Sequence, residues 1–185
     1  GREWFGESFK FVSEKSFGFN LEDIDNSSSL DYTIRYVGGS EDVGTSFTTY
    51  LNDDFISTKS MGTVSDGYGT KGRSILISGE KELSGEGLSV KSMFNNSGDA
   101  NAIGYLDYIE LIYQRSLDGS SSVCYTIPSS YTESEVSISN ISNNTLIWDV
   151  SKINEIQGIL SVNGKVKIAS DVTKLLVLNK NNFKT

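Results

Sequence analysis

The chain has no histidine, one cysteine and one proline in 185 residues, and no apolar run approaches the roughly 18 residues that a membrane helix needs. Each absence excludes something. Without histidine there is no imidazole general base, no histidine zinc ligand, and neither a Ser-His nor a Cys-His nucleophile pair. Most familiar hydrolase mechanisms are therefore ruled out for these residues. Cys124 has no intrachain partner, so cysteine usage leaves the redox compartment open. The chain does not start with a charged segment followed by an apolar one, so this stretch shows neither a signal peptide nor a membrane span. Basic residues are also scarce, 16 against 24 acidic, for a formal charge of -8 and a pI near 4.6. Nucleic acid is excluded as a partner, because phosphate binding depends on clustered Lys and Arg.

What is present is the punctuation of an all-β protein. Short apolar bursts are separated by Gly, Asn, Asp and Ser. A chain of this length can bury about 70% of its unfolded surface and fold on a core alone. Leu30, Tyr32, Ile34 and Tyr36 alternate with Asp31, Thr33 and Arg35, the two-residue period of a strand with one buried face. The same reading covers Phe9 with Phe11, then Phe17, Phe19 and Leu21, and then Ile75 with Ile77 and Leu88 with Val90. It continues through Val123, Tyr125 and Ile127, Val136 with Ile138, the set Leu146, Trp148 and Val150, and Val166 with Ile168. Trp148 is expected in the core, with Asp149 facing outward or capping a turn. Leu175 to Leu178 has no polar face and reads as a strand covered on both sides, with a buried short helix as the alternative. Asn163-Gly164 predicts a tight hairpin. Residues 104–115 also fit a helical period, but their β-branched and aromatic content favours a strand.

The fold class expected is an antiparallel β-sandwich of jelly-roll type with little helix, a single turn near Ser151–Ile156. The main jelly-roll-like part spans about 1–118. Residues 119–185 add further strands to it or form a small β appendage, with Leu117–Ser122 as the connecting stretch.

Three stretches together resemble one family. They are Gly1-Arg-Glu-Trp-Phe-Gly-Glu7, Leu106-Asp-Tyr-Ile-Glu-Leu-Ile-Tyr-Gln-Arg-Ser-Leu117 and Leu146-Ile-Trp-Asp-Val-Ser151. In order and spacing they resemble the region upstream of the peptidase domain in the PorU-like sortases of the bacterial type IX secretion system, relatives of the gingipain cysteine peptidases. The third stretch departs from that pattern, since the family often continues with Thr-Asp-Pro and here Ser151-Lys-Ile follows. The resemblance implies a fragment of a longer chain, with the nucleophilic cysteine and its histidine in a later domain, so no catalytic residue is carried over. It also implies a place at the extracellular face of a Bacteroidetes-type outer membrane. The expected partners are other secretion components and the protein's own peptidase domain, and the whole protein would process C-terminal sorting domains of cargo. The rival reading is a carbohydrate-binding jelly-roll module of a secreted or surface protein.

Candidate binding residues are Trp4 and Phe5, which could form a docking patch or anchor the first strand, and Tyr32, Tyr36 and Tyr108, which could stack on sugar rings of a glycan. No cofactor is expected. Asp23, Asp25 and Asn26, and separately Asn95, Asn96 and Asp99, offer oxygen ligands of the kind calcium accepts, but they also suit ordinary turns. Asn52, Asp53 and Asp54 read as a turn. Asp107 with Glu110 and Glu133 with Glu135 are the carboxylate pairs available for glycoside hydrolysis, and Asp107 and Glu110 face opposite ways unless a bulge intervenes. Tyr68 between Gly67 and Gly69 lacks the strand-to-helix setting of a phosphate loop. Cys124, between Val123 and Tyr125, reads as a strand residue.

Overall fold

The structure is a computed structural model that describes residues 6–25, 27–65, 72–127 and 134–183. Trp4, Phe5, Asn26, Tyr68 and Glu133 lie outside the described residues. The chain divides into two compact units, Gly1–Gln114 and Arg115–Thr185. Each unit is a pair of antiparallel sheets around its own core.

In the first unit the strands are β1 (Glu14–Asn20), β2 (Ser29–Gly39), β3 (Thr45–Leu51), β4 (Asp54–Met61), β5 (Arg73–Glu82), β6 (Gly87–Asn95) and β7 (Ile103–Ile112). They form a four-stranded sheet, β1-β6-β3-β4, and a three-stranded sheet, β5-β2-β7. The alternation read from the sequence sets which side chains enter the core. Leu30, Tyr32, Ile34 and Tyr36 of β2 are buried, as are Phe47 and Leu51 of β3 and Leu88, Val90 and Phe94 of β6.

Phe47 is the hub of this core. Tyr36 stacks on it at 4.1 Å, Phe94 lies tilted at 4.9 Å and Phe9 meets it edge-on at 5.1 Å. The rings leave no room for a side chain at Gly104, where a Cβ would stand 2.7 Å from both Phe47 and Phe94. The Tyr36 hydroxyl crosses between the sheets and shares hydrogen bonds with Thr49 Oγ1 (2.8 Å) and Ser92 Oγ (2.6 Å). All three residues are fully buried. Burial holds the Tyr36 phenol above its ordinary pKa, although the hydrogen bonds from Ser92 and Thr49 oppose this.

The second unit contains β8 (Val123–Thr126), β9 (Ser134–Ser137), β10 (Thr145–Asp149), β11 (Gln157–Gly158), β12 (Ser161–Val162), β13 (Lys165–Ile168) and β14 (Lys174–Asn179). Its sheets are β11-β10-β14-β8 and β12-β13-β9. The core between them holds Tyr125, Ile138, Ile147, Val166, Ile168, Leu175 and Val177. Asn163 and Gly164 both take positive φ, 54° and 78°, and turn β12 into β13 as the dipeptide predicts. Leu117 to Gly119 belong to this unit, tied by Ser139 N–H donating to Leu117 O and Gly119 N–H donating to Ser139 O.

Three local expectations are corrected. Phe9 is buried but Phe11 is 90% exposed, and this segment contributes only an isolated bridge at Ser8, not a strand. In β10 the core residue is Ile147, which pairs with Val177, so Leu146 and Trp148 point to the other face and are half-buried. Three apolar residues in succession had left that choice open to the pairing strand. Residues 151–156 form bends and turns, closed by Glu155 N–H donating to Lys152 O, and the one helical turn among the described residues is a 3-10 turn at Lys180–Asn182.

Candidate functional site

The sequence candidates fall on different surfaces. Tyr32 is 7% exposed and Tyr36 is fully buried, so neither can stack on a sugar ring. Both lie on the inward face of β2, where the alternation that makes the strand legible also consigns its tyrosines to the core. Tyr108 is 41% exposed on the outer face of the three-stranded sheet.

Its orientation comes from a bulge. Arg35 pairs with Tyr108 and Tyr36 with Leu106, which leaves Asp107 as the extra residue on β7. Core contact passes from Leu106 to Ile109, and Asp107 and Tyr108 both turn outward. The bulge thus places Asp107 and Glu110 on the same side. Asp107 is nevertheless engaged by Arg35 Nη1 at 2.6 Å in an ion pair. Around Tyr108 the outer face carries Leu76 across from Arg35, Glu110 across from Thr33, and Ile112 across from Asp31. Leu76 and Ile112 are more than half exposed. This surface combines a ring, two aliphatic side chains and an ion pair on a rigid sheet.

Two of the stretches that carry the family resemblance meet at β7. Leu106 N–H donates to Glu7 O (2.9 Å) and Phe9 N–H to Gly104 O (2.8 Å), so residues 7–9 run antiparallel beside the strand. The third stretch forms a clasp in the second unit. Asp149 accepts the Ser151 N–H (2.9 Å) and hydroxyl (2.5 Å), and Ser151 Oγ in turn accepts the N–H groups of Thr173 and Lys174. The polar residues of that motif are accounted for by holding β10 to β14.

The oxygen-rich loops form their own turns. Asp25 Oδ1 accepts the Ser27 N–H and hydroxyl. Asn95, Asn96 and Asp99 accept the N–H groups of Ser97, Gly98 and Asn101. Hydrogen bonds from the Ser27 and Ser40 hydroxyls are the largest influence lowering the pKa of Asp25 and Asp99, respectively. Asn52 and Asp53, at φ 49° and 65°, make the β3–β4 hairpin turn. Among the described residues no group of three or more acidic or thiol side chains is placed to hold a metal ion. Cys124 stands on β8 with its side chain exposed.

One cluster escaped the sequence reading. Tyr50 and Phe55 pair across the β3–β4 hairpin at 5.8 Å, and Lys91 Nζ sits 4.6 Å above the Tyr50 ring. The signal was available, because a two-residue turn at Asn52-Asp53 brings those aromatics together by register.

With the folds in hand, solved structures provide the comparison. Crystalline dimeric latent PorU from Porphyromonas gingivalis overlays all of this chain with a TM-score of 0.74, at 15% identity. The chain spans 19% of the length of that protein. The likeness establishes a PorU-like β fold. A carbohydrate-binding module, CBM36, in complex with calcium and xylotriose covers 54% of the chain and 72% of its own, at 10% identity and a TM-score of 0.35. The CBM36-1 domain of a multidomain xylanase from the hindgut metagenome of Trinervitermes trinervoides covers 62% of the chain and 89% of its own, at 10% identity and a TM-score of 0.40. Those two overlaps are too loose to establish a common fold. No protein-family model matches the sequence, and no curated protein does.

Proposed function

We propose that this chain is a non-catalytic β scaffold and docking module of a PorU-like type IX secretion sortase, acting through protein contacts at the extracellular face of the outer membrane. Its partners would be other secretion components and the peptidase domain of the same polypeptide. The observation that carries the reading is the overlay of all 185 residues on PorU, through both units, while they span only 19% of that protein. The lack of histidine supports the non-catalytic assignment, since the chain cannot assemble a Cys-His pair.

The test has two arms. The full-length gene is expected to encode a caspase-like domain with its own histidine and cysteine beyond Thr185, and a gene without one refutes the reading. The purified chain is expected not to cleave a sorting-domain peptide. Cleavage that Cys124→Ala abolishes would overturn the assignment.

A second reading, carbohydrate binding, is favoured by Tyr108, whose exposed ring lies beside the Arg35–Asp107 pair on a sheet face. A glycan array decides it. Binding lost in Tyr108→Ala supports the module reading, and no binding to any glycan removes it.

A further inference from the structure

The outer face of the β5-β2-β7 sheet carries charge of one sign. Its register sets outward side chains in rows across the three strands. Glu80, Asp31 and Ile112 form one row, Ser78, Thr33 and Glu110 the next, and Leu76, Arg35 and Tyr108 the third. Glu82 stands beyond the first row, opposite Ser29. Arg35 is the basic side chain of these rows, and its charge is matched by Asp107. Asp31, Glu80, Glu82 and Glu110 are exposed, and none of the ion pairs among the described residues involves them. Asp31 lies directly opposite Glu80, a cross-strand pair of like charge that disfavours the sheet.

The same face is also apolar where a solvated sheet ordinarily shows polar side chains. Leu76 is 52% exposed, Tyr108 41% and Ile112 59%. Unanswered carboxylates and open apolar groups are both relieved by one kind of partner, a segment that brings cations and aliphatic side chains together. A metal ion is not that partner, since among the described residues no group of three or more acidic side chains is placed to hold one. A neutral sugar would use the Tyr108 ring and leave the carboxylates unanswered. The rest of the unit favours a cation too. Residues 1–114 hold 9 basic and 18 acidic side chains, for a formal charge of -9, a field that draws positive segments toward it.

We propose that this face docks a basic peptide segment of a partner protein, with lysine or arginine over the two acidic rows and an aliphatic side chain over Leu76 and Tyr108. The rows lie about 7 Å apart along the strands, which is also the spacing of alternate residues in an extended chain. A segment of the pattern Lys-x-Lys-x-Leu therefore sets one side chain on each row. The inference rests on the docking reading, to which it adds the chemistry of a partner, and it uses the first unit alone. A gene lacking a peptidase domain would refute the sortase assignment and leave this face to be tested as it stands.

Fluorescence anisotropy of the intact chain with a labelled peptide of two Lys-Ser-Lys-Ser-Leu-Ser repeats tests it. Saturable binding is expected, weakening about tenfold or more as salt rises from roughly 0.05 to 0.5 M. The triple variant Asp31→Asn, Glu80→Gln, Glu110→Gln is expected to lose about tenfold or more in affinity. It should melt no lower than the parent, because it removes the opposed like charges. Tyr108→Ala, and separately a peptide with serine in place of leucine, should each cost about threefold or more. The control Glu14→Gln, Glu41→Gln, Glu86→Gln removes as much charge from elsewhere in the first unit and should stay within about twofold of the parent. No binding by the parent overturns the proposal and leaves the sortase assignment standing. Equal losses in the triple variant and the control also overturn it, as does binding indifferent to both Tyr108 and the peptide leucines. A neutral oligosaccharide that binds where the peptide does not restores the carbohydrate reading in its place.

Discussion

The two units solve the same problem, closing a pair of sheets over a core, with different materials. The first uses long strands of 7 to 11 residues, a stack of aromatic rings around Phe47, and a hydroxyl bridge between its sheets. The second uses strands of 2 to 6 residues and a core in which, among the described residues, Tyr125 is the only buried aromatic. Ladder hydrogen bonds are fewer in strands that short, so side chains supplement them. Asp149 with Ser151, Asp118 with Ser120 and Asn140, and Asn179 with Ser120 and Asn181 each fasten a loop to a neighbour. Residues 1–114 carry a formal charge of -9 and residues 115–185 one of +1.

The sharpest way to break this comparison is to empty each core. Phe47→Ala should cost about 3 to 5 kcal/mol and Ile147→Ala about 2 to 5 kcal/mol, read from denaturant midpoints. Trp148→Ala should cost less than Ile147→Ala because Trp148 is only half-buried on the opposite face. The reverse order would put the β10 core on the wrong side.

A smaller effect separates the hydroxyl bridge from the ring stack. Tyr36→Phe keeps the stacked ring but strips Thr49 and Ser92 of their shared partner, at about 1 to 3 kcal/mol. The phenol's pKa is raised in the folded state, so its contribution is intact below the ordinary value of 10.0 and disappears as pH rises through the folded value. Alkaline melts should therefore show the parent losing stability above pH 10 and Tyr36→Phe losing less.

The smallest effect belongs to the clasps of the second unit. Hydrogen bonds from the Ser120 hydroxyl, then the Ser120 N–H, then Asn140 lower the Asp118 pKa, with slight desolvation opposing them. A depressed carboxylate stabilises above its usual pKa near 3.8 and stops doing so as pH falls through the folded value. Asp118 lies close to water, so screening keeps the effect small. Acid titration should show Asp118→Asn losing less stability than the parent below about pH 4.

Strand positions were largely legible because alternation is local. Residues 29–39, 87–95, 103–112 and 165–168 each announce a strand, and Asn163-Gly164 announces its hairpin. Less of the candidate surface was legible. Tyr32 and Tyr36 looked like available rings, yet the alternation of β2 already set them on the same face as Leu30 and Ile34, and that face is buried. Asp107 and Tyr108 share a face because of one extra residue on β7, a register shift that requires the partner strand to be seen.

By itself the amino-acid order determined the β period, the main turns, the acidic balance and the want of any imidazole chemistry, since each is a property of neighbours in the chain or of composition. Tertiary structure alone decided that Ile147 rather than Trp148 enters the core, that a bulge turns Tyr108 outward, and that the chain closes two separate cores. The physical reason is common to all three. A strand has two faces that are equivalent until another strand pairs with it, and that partner lies tens of residues away.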